Sequence, residues 1–281
     1  MDFPTPLVTT EWLAAHLADE DVVILDASLP KPKAKPEDNP LNGLQLPDAR
    51  FFAIEGDFSA HDTDLPHMMP SEAQFNEAAR RLGINNASKI VVYDNLGIYS
   101  APRAWWMFLA MRHTQVAVLD GGLPAWVLEG RPTEPAEKMK VFSGDFSGKY
   151  QSAFFQSADE VLLHIDDAQV KVLDARSSGR FHGTEPEPRA GLRGGHIPNS
   201  VSLPFPEMLN GTHLLTKDQL IVKFHSLGIH DEQLTFSCGS GLTACILTLG
   251  AHVAGFKHLS VYDGSWSEWG QPGEFPVVSG T

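Results

Sequence analysis

The chain has 281 residues, 42% of them hydrophobic and 20% charged, a globular composition with length for two ordinary domains, each burying its own core. Lys and Arg number 21 against 35 Asp and Glu, and the net charge of −14 argues against a nucleic-acid or acidic-membrane partner, which would want a basic face. Apolar runs such as Val22-Val23-Ile24-Leu25 fall far short of a membrane span, and two cysteines make no disulfide framework. Residues Met1-Asp2-Phe3-Pro4-Thr5-Pro6 carry neither the basic start and apolar core of a secretory signal nor the arginines of a mitochondrial presequence, so the expected location is the cytoplasm.

Along the chain, short apolar strands alternate with helices whose ends are marked. The segment Ile24-Leu25-Asp26-Ala27 reads as a strand. Ser71-Glu72-Ala73-Gln74 has the form of a capping box, in which the first side chain caps the helix and the fourth reaches back, and Gly83 supplies a left-handed stop. The strand Lys89-Ile90-Val91-Val92-Tyr93 follows, then Val118-Leu119-Asp120-Gly121-Gly122-Leu123-Pro124-Ala125-Trp126. Residues 131–151, rich in Pro, Gly, Glu, Lys and Ser and without periodicity, read as a linker.

The same order then returns. Capping boxes stand at Ser157-Ala158-Asp159-Glu160 and Thr216-Lys217-Asp218-Gln219, a glycine stop at Gly228, and strands at Val172-Leu173-Asp174-Ala175 and Leu234-Thr235-Phe236-Ser237. Val261-Tyr262-Asp263-Gly264-Ser265-Trp266-Ser267-Glu268-Trp269 repeats the segment around Asp120, with Asp120 to Asp263 and Trp126 to Trp269 both 143 residues apart. The chain is therefore expected to be a duplicated α/β unit with mainly parallel sheets flanked by helices: a first domain at 1–130, the linker at 131–151 and a second domain at 152–281.

Ligands of such sheets bind beyond the carboxyl ends of strands, and Cys238 stands at one of those ends. It opens Cys238-Gly239-Ser240-Gly241-Leu242-Thr243, a glycine-bearing loop between the strand 234–237 and an apolar helical stretch from Ala244. A loop of this kind turns several backbone N–H groups toward one point and adds the partial positive charge of a helix start, an environment that favours a thiolate. Cys238 is thus the candidate nucleophile, against the alternative of a buried structural thiol. Cys245, seven residues on, reads as a core thiol rather than a resolving partner. Aligning Val92-Tyr93-Asp94 with Phe236-Ser237-Cys238 puts Asp94 where the second half has its cysteine, which makes the first domain catalytically silent. The acidic chain reverses its balance between Asp174 and His196, where Arg176, Arg180, Arg189 and Arg193 cluster.

Over essentially the whole chain these residues resemble the two-domain rhodanese-like sulfurtransferases. Tyr262-Asp263-Gly264-Ser265-Trp266-Ser267-Glu268-Trp269 is similar to that family's carboxy-terminal signature and Gly195-His196-Ile197-Pro198 to its second-domain motif, with Asn199-Ser200 departing from the usual Gly-Ala. Cys-Gly-Ser-Gly, an aliphatic residue and Thr resembles the 3-mercaptopyruvate branch, where Leu242 replaces the usual Val. The resemblance implies a double displacement: Cys238 attacks the substrate sulfur, pyruvate leaves as its enolate, and a thiol or cyanide takes the sulfur from the resulting persulfide. It implies loop contacts from Gly239, Gly241, Leu242 and Thr243, a proton-handling Ser240, and Glu55 and His67 as catalytic partners from the first half. The family's arginine pair, nine residues apart, falls on Arg180 and Arg189 as a clamp for the substrate carboxylate. The alternative for each is an ion pair with Glu185 or Glu187, and for Arg176 and Arg193 that structural role is the favoured one. The acceptor implied is a thioredoxin-like protein or a low-molecular-weight thiol, and no cofactor is called for.

Competing readings divide on particular residues. Thiosulfate-preferring rhodaneses carry basic residues after the cysteine, where Gly239 and Ser240 offer none. A cysteine phosphatase needs an arginine six residues after its nucleophile, and that position is Ala244. A persulfide carrier without turnover would use the same loop and would stop after one equivalent of donor. Metal hydrolysis has no His-Glu-x-x-His or paired Cys-x-x-Cys spacing behind it.

Overall fold

The computed structural model describes residues 3, 5–137, 140–273 and 275–280. Met1, Asp2 and Pro4 of the amino-terminal stretch, residues 138 and 139 of the expected linker, and residues 274 and 281 of the expected second domain lie outside the described residues. The chain forms two compact units. One comprises residues 1–60, 70–151 and 211–214, and the other residues 61–69, 152–210 and 215–281.

Each unit is built on a five-stranded parallel sheet among the described residues. In the first, the order across the sheet is Leu7–Val8, Val116–Leu119, Lys89–Tyr93, Val22–Asp26 and Arg50–Phe51. In the second it is Phe155–Gln156, Leu259–Tyr262, Gln233–Ser237, Val170–Asp174 and Val201–Ser202. In chain order both sheets run first, fifth, fourth, second, third strand, so the duplication read in the sequence is a duplication of topology. The central strands are buried on both faces; in the first sheet Val22–Asp26 and Lys89–Tyr93 accordingly read as apolar runs, whereas Gln233–Ser237 of the second buries the polar Thr235 and Ser237 between apolar residues.

The helix starts follow their caps. Ser157 and Thr216 each accept from the N–H three residues on, and Glu160 and Gln219 reach back, completing both boxes. Ser71 caps Glu72–Arg81 in the same way, but the Gln74 amide donates to the carbonyls of Asp57 and Ser59 instead of returning to the cap. These tertiary contacts hold the amide in place of the local return to the cap.

Residues 131–151, expected as a linker, are part of the first unit. Glu134–Pro135 pairs antiparallel with Leu44–Gln45, Phe146 is buried among Phe75, Phe108 and His113, and Lys149 reaches Glu72. Gly144 lies so close to Ile84 that a Cβ would fall 2.0 Å from its carbonyl oxygen. An aperiodic segment can thus be fixed by single anchors that leave no helix or strand pattern. Two short segments also belong to the unit opposite to their half of the sequence: residues 61–69 to the second and 211–214 to the first.

Candidate functional site

In the second unit the central strand Gln233–Ser237 ends at Cys238 and the helix Ala244–Ala254 begins six residues later. Cys238 is free and 1% exposed. The Ser240 N–H points at its Sγ at 3.5 Å. Gly241 takes a positive φ of 71°, a conformation that suits glycine and closes the loop. Cys245 is buried in the helix, its Sγ donating to the Gly241 carbonyl at 3.3 Å, which leaves it a packing and loop-bracing thiol.

The loop is held from outside by the segment after the neighbouring strand. Ser265 Oγ accepts from the N–H of Cys238 at 3.1 Å and of Gly241 at 3.0 Å, and donates to the Tyr262 carbonyl at 2.8 Å. Trp266 N–H donates to the Cys238 carbonyl, and Ser267 donates to the Gly239 carbonyl through its N–H at 2.9 Å and its hydroxyl at 2.6 Å. Asp263 accepts from Met69 N–H at 2.7 Å, and in that same segment of the second unit His67, buried and at φ 63°, places Nδ1 2.9 Å from Ser240 Oγ. The structure therefore brings together Cys238, Ser240 and His67. Glu55 is an exposed residue of the first unit.

The basic neighbourhood sorts into two kinds of arginine. Arg176 is fully buried: its Nε and Nη2 bind the Asp174 carboxylate, Nη2 also the Gly195 carbonyl, and Nη1 Glu187 Oε1 at 2.7 Å, while its guanidinium stacks 4.0 Å from the Trp266 ring. Arg193 is spent on the carbonyls of Trp269 and Phe275. These two are structural. Arg180, on the short helix Ser178–His182, is only partly covered, and Glu187 Oε2 accepts from its Nε at 3.0 Å and its Nη2 at 2.5 Å. The ion pair entertained as an alternative is thus formed by Arg180, with Glu187, and Glu185 instead accepts from Ser177 Oγ. Arg189 is exposed. Both remaining guanidinium groups reach the loop: a Cβ built on Gly239 would lie 3.2 Å from Arg180 Nη2 and 3.8 Å from Arg189 Nη1. Gly239 and Thr243 are partly exposed, whereas Gly241 and Leu242 are buried and line the loop's inner side of the fold.

Sequence reasoning missed Ser265 and Ser267, which were in view as members of the 262–269 segment, but nothing in one sequence says that they converge on the cysteine loop; Glu187 was named as an ion-pair partner, but not as the carboxylate that Arg176 and Arg180 share.

The first unit provides the contrast. Asp94 ends its central strand, and its own carboxylate fills the loop, Oδ1 accepting from Leu96 N–H at 3.0 Å and Oδ2 from the N–H groups of Tyr99, Ser100 and Ala101 at 2.8 to 2.9 Å. In this loop a buried carboxyl group is met by four backbone donors. In that unit Asp120 accepts from Leu214 N–H at 2.9 Å, the counterpart of Asp263 with Met69.

Among the described residues no group of three or more His, Cys, Asp or Glu side chains is arranged to hold a metal ion, and no helix is long and apolar enough to cross a membrane.

The rhodanese-like domain model matches the chain twice, over residues 9–129 and 157–272. The chain is 39% identical to thiosulfate/3-mercaptopyruvate sulfurtransferase 1, mitochondrial, of Arabidopsis thaliana, over 98% of this chain and 78% of that protein. It is 35% identical to 3-mercaptopyruvate sulfurtransferase of Escherichia coli strain K12, over 97% of this chain and 98% of the other. The crystal structure of SseA from Escherichia coli, described as a 3-mercaptopyruvate sulfotransferase, superposes with a TM-score of 0.83 at 33% identity, covering 94% of this chain and all of that one.

Proposed function

The chain belongs to the rhodanese-like family, and from that premise we propose that it is a 3-mercaptopyruvate sulfurtransferase whose second unit carries the sulfur on Cys238. The observation that carries the reading is the pair of guanidinium groups, Arg180 and Arg189, converging on a loop that has a cysteine but no charge of its own. A donor with a carboxylate at one end and sulfur at the other fits that separation of charge and nucleophile; a compact dianion would gain more from cations inside the loop.

In this mechanism Arg180 and Arg189 hold the substrate carboxylate. Cys238 Sγ attacks the substrate sulfur, the carbon–sulfur bond breaks, and its electron pair passes to the ketone to give the enolate of pyruvate. The hydrogen-bonded pair of Ser240 and His67 delivers the proton that turns enolate into pyruvate. The Ser240 N–H, which points at Sγ, stabilises the sulfur as an anion, as its counterpart Leu96 N–H in the first unit does for the Asp94 carboxylate. A thiol acceptor, a thioredoxin-like protein or a low-molecular-weight thiol, then takes the outer sulfur and returns Cys238 to its starting state. Glu55 enters as a partner of His67 on the family pattern alone. The first unit, with Asp94 in the cysteine's place, is catalytically silent. Residence in the cytoplasm belongs to the same proposal, and fractionation of the source cell tests it.

The test measures steady-state pyruvate release from 3-mercaptopyruvate with a thiol acceptor, beside thiosulfate on the same preparation. Continuous turnover with preference for mercaptopyruvate supports the proposal. One equivalent followed by arrest would make the protein a sulfur carrier. Preference for thiosulfate would favour the second reading, to which the double name of the Arabidopsis relative gives weight.

A further inference from the structure

Ser265 is one of six non-glycine residues with a positive φ among the described residues, and its value of 48° lies in the left-handed region that costs an L-residue conformational energy. The corresponding position of the first unit is Gly122, 143 residues earlier, at φ 54°. There a Cβ would fall 2.5 Å from the carbonyl oxygens of both Asp94 and Gly97. The duplicated fold therefore calls for a left-handed residue at this corner. One copy meets it with glycine, while the other holds a serine in the same strained conformation.

The serine's hydroxyl is completely used. A hydroxyl has one donor and two acceptor lone pairs, and Ser265 Oγ donates to Tyr262 O while accepting from Cys238 N–H and Gly241 N–H. The whole group is buried. These two amides are the first and fourth of the cysteine loop, so Ser265 grips the loop from outside at its start and on the far side of Ser240. In the first unit the bracing comes from inside, through the Asp94 carboxylate and four N–H groups.

We propose that Ser265 is a positioning residue for sulfur transfer. Its strained backbone is retained because the hydroxyl draws the Cys238 and Gly241 amides away from the sulfur and fixes the loop, so that the amide of Ser240 faces Sγ. The inference rests on the reading of Cys238 as sulfur carrier. An outlier in φ with all its side-chain hydrogen-bonding capacity committed to the nucleophile's loop is the pattern expected when strain serves a site.

Two variants separate this role from a merely structural one. Ser265→Ala keeps the strain and loses the hydroxyl; Ser265→Gly loses the hydroxyl but relieves the strain. The Gly variant should therefore melt higher than the Ala variant, by about 2 to 4 °C for a chain of this size. Both should nevertheless lose single-turnover sulfur transfer to Cys238, read by intact mass, by about tenfold, the effect of roughly one hydrogen bond's worth of misplacement at the nucleophile. KM for mercaptopyruvate should move less than twofold or threefold, on the order of ordinary surface changes, because Arg180 and Arg189 are untouched. Sulfur uptake that follows the melting order, with Gly near wild type, overturns the proposal. If wild-type Cys238 gains no sulfur at all, the functional reading falls and takes this inference with it; if wild type gains sulfur and both variants match it, only the inference falls.

Discussion

Replacing Glu187 by Gln probes how the proposed arginine clamp is held. The carboxylate is buried between Arg176 Nη1 at 2.7 Å and the Nε and Nη2 of Arg180 at 3.0 and 2.5 Å. A glutamine can accept from one arginine only, and its NH2 would face the other. Breaking a buried pair costs about 3 to 5 kcal/mol when the remaining charge is left alone. Here Arg176 keeps Asp174 and the Gly195 carbonyl, and the Arg180 side chain is 21% exposed to water, so a cost nearer 1 to 3 kcal/mol, the range of a charged hydrogen bond, is expected. With Arg180 no longer fixed, kcat/KM for mercaptopyruvate should fall about ten- to hundredfold, mainly through KM.

The assay is a double-mutant cycle with Arg180→Ala. If Glu187 acts through Arg180, Glu187→Gln in the Arg180→Ala background should change kcat/KM by less than about threefold. Equal factors in both backgrounds would refute the reasoning and assign Glu187 to the fold through Arg176. A gain in kcat/KM would refute it differently, by showing that the Glu187 carboxylate competes with that of the substrate.

Three further outcomes are expected. Cys238→Ser should abolish sulfur transfer with the melting temperature retained, while Cys245→Ser keeps most activity; sulfur mapped by mass to Cys245 would contradict the loop argument. Gly239→Ala places a Cβ 3.2 Å from Arg180 Nη2, where its φ permits alanine but the guanidinium must give way, so KM for mercaptopyruvate should rise, and an unchanged KM would show that Arg180 binds no substrate. His113 is buried against Phe108 and Phe146, its Nε2 has no hydrogen-bond partner, and burial holds its pKa below the usual histidine range. Below about pH 6.5 the unfolded chain takes up a proton that the folded one still refuses. Stability from this group is therefore present at neutral pH and lost as pH falls toward the folded pKa, and His113→Phe should flatten the melting curve between pH 7 and 5; an unchanged slope would count against it.

The fold was legible because its signals are local: apolar runs for strands buried on both faces, caps at Ser157 and Thr216, and a duplication carried by whole motifs. The cysteine loop was legible for the same reason, since strand, glycines and helix start are contiguous. What the sequence withheld is long-range. The placement of residues 61–69 in the second unit, which brings His67 to Ser240, depends on chain path and not on any pattern within those residues. The anchoring of residues 131–151 depends on isolated contacts such as Asn76 with Gly148 and Arg80 with the Phe146 carbonyl, which have no periodicity to detect.

The pairing of Gly122 with Ser265 shows the limit most sharply. Read as letters, the substitution looks like ordinary variation within a repeated motif. Glycine is neutral evidence for a left-handed corner, because it occupies such corners at little cost and many other conformations besides. Serine at the aligned position turns that weak signal into a strong one, but only once the duplication supplies the register and the backbone shows that both copies keep the same φ. An internal repeat thus does for one chain part of what a second structure would do: where two copies share a strained geometry and only one retains the side chain that strains it, the difference points to the copy in which chemistry is expected. Asp94 and Cys238 stand in the same relation, one loop closed upon its own carboxylate and the other braced from outside with the Ser240 N–H pointing at the sulfur.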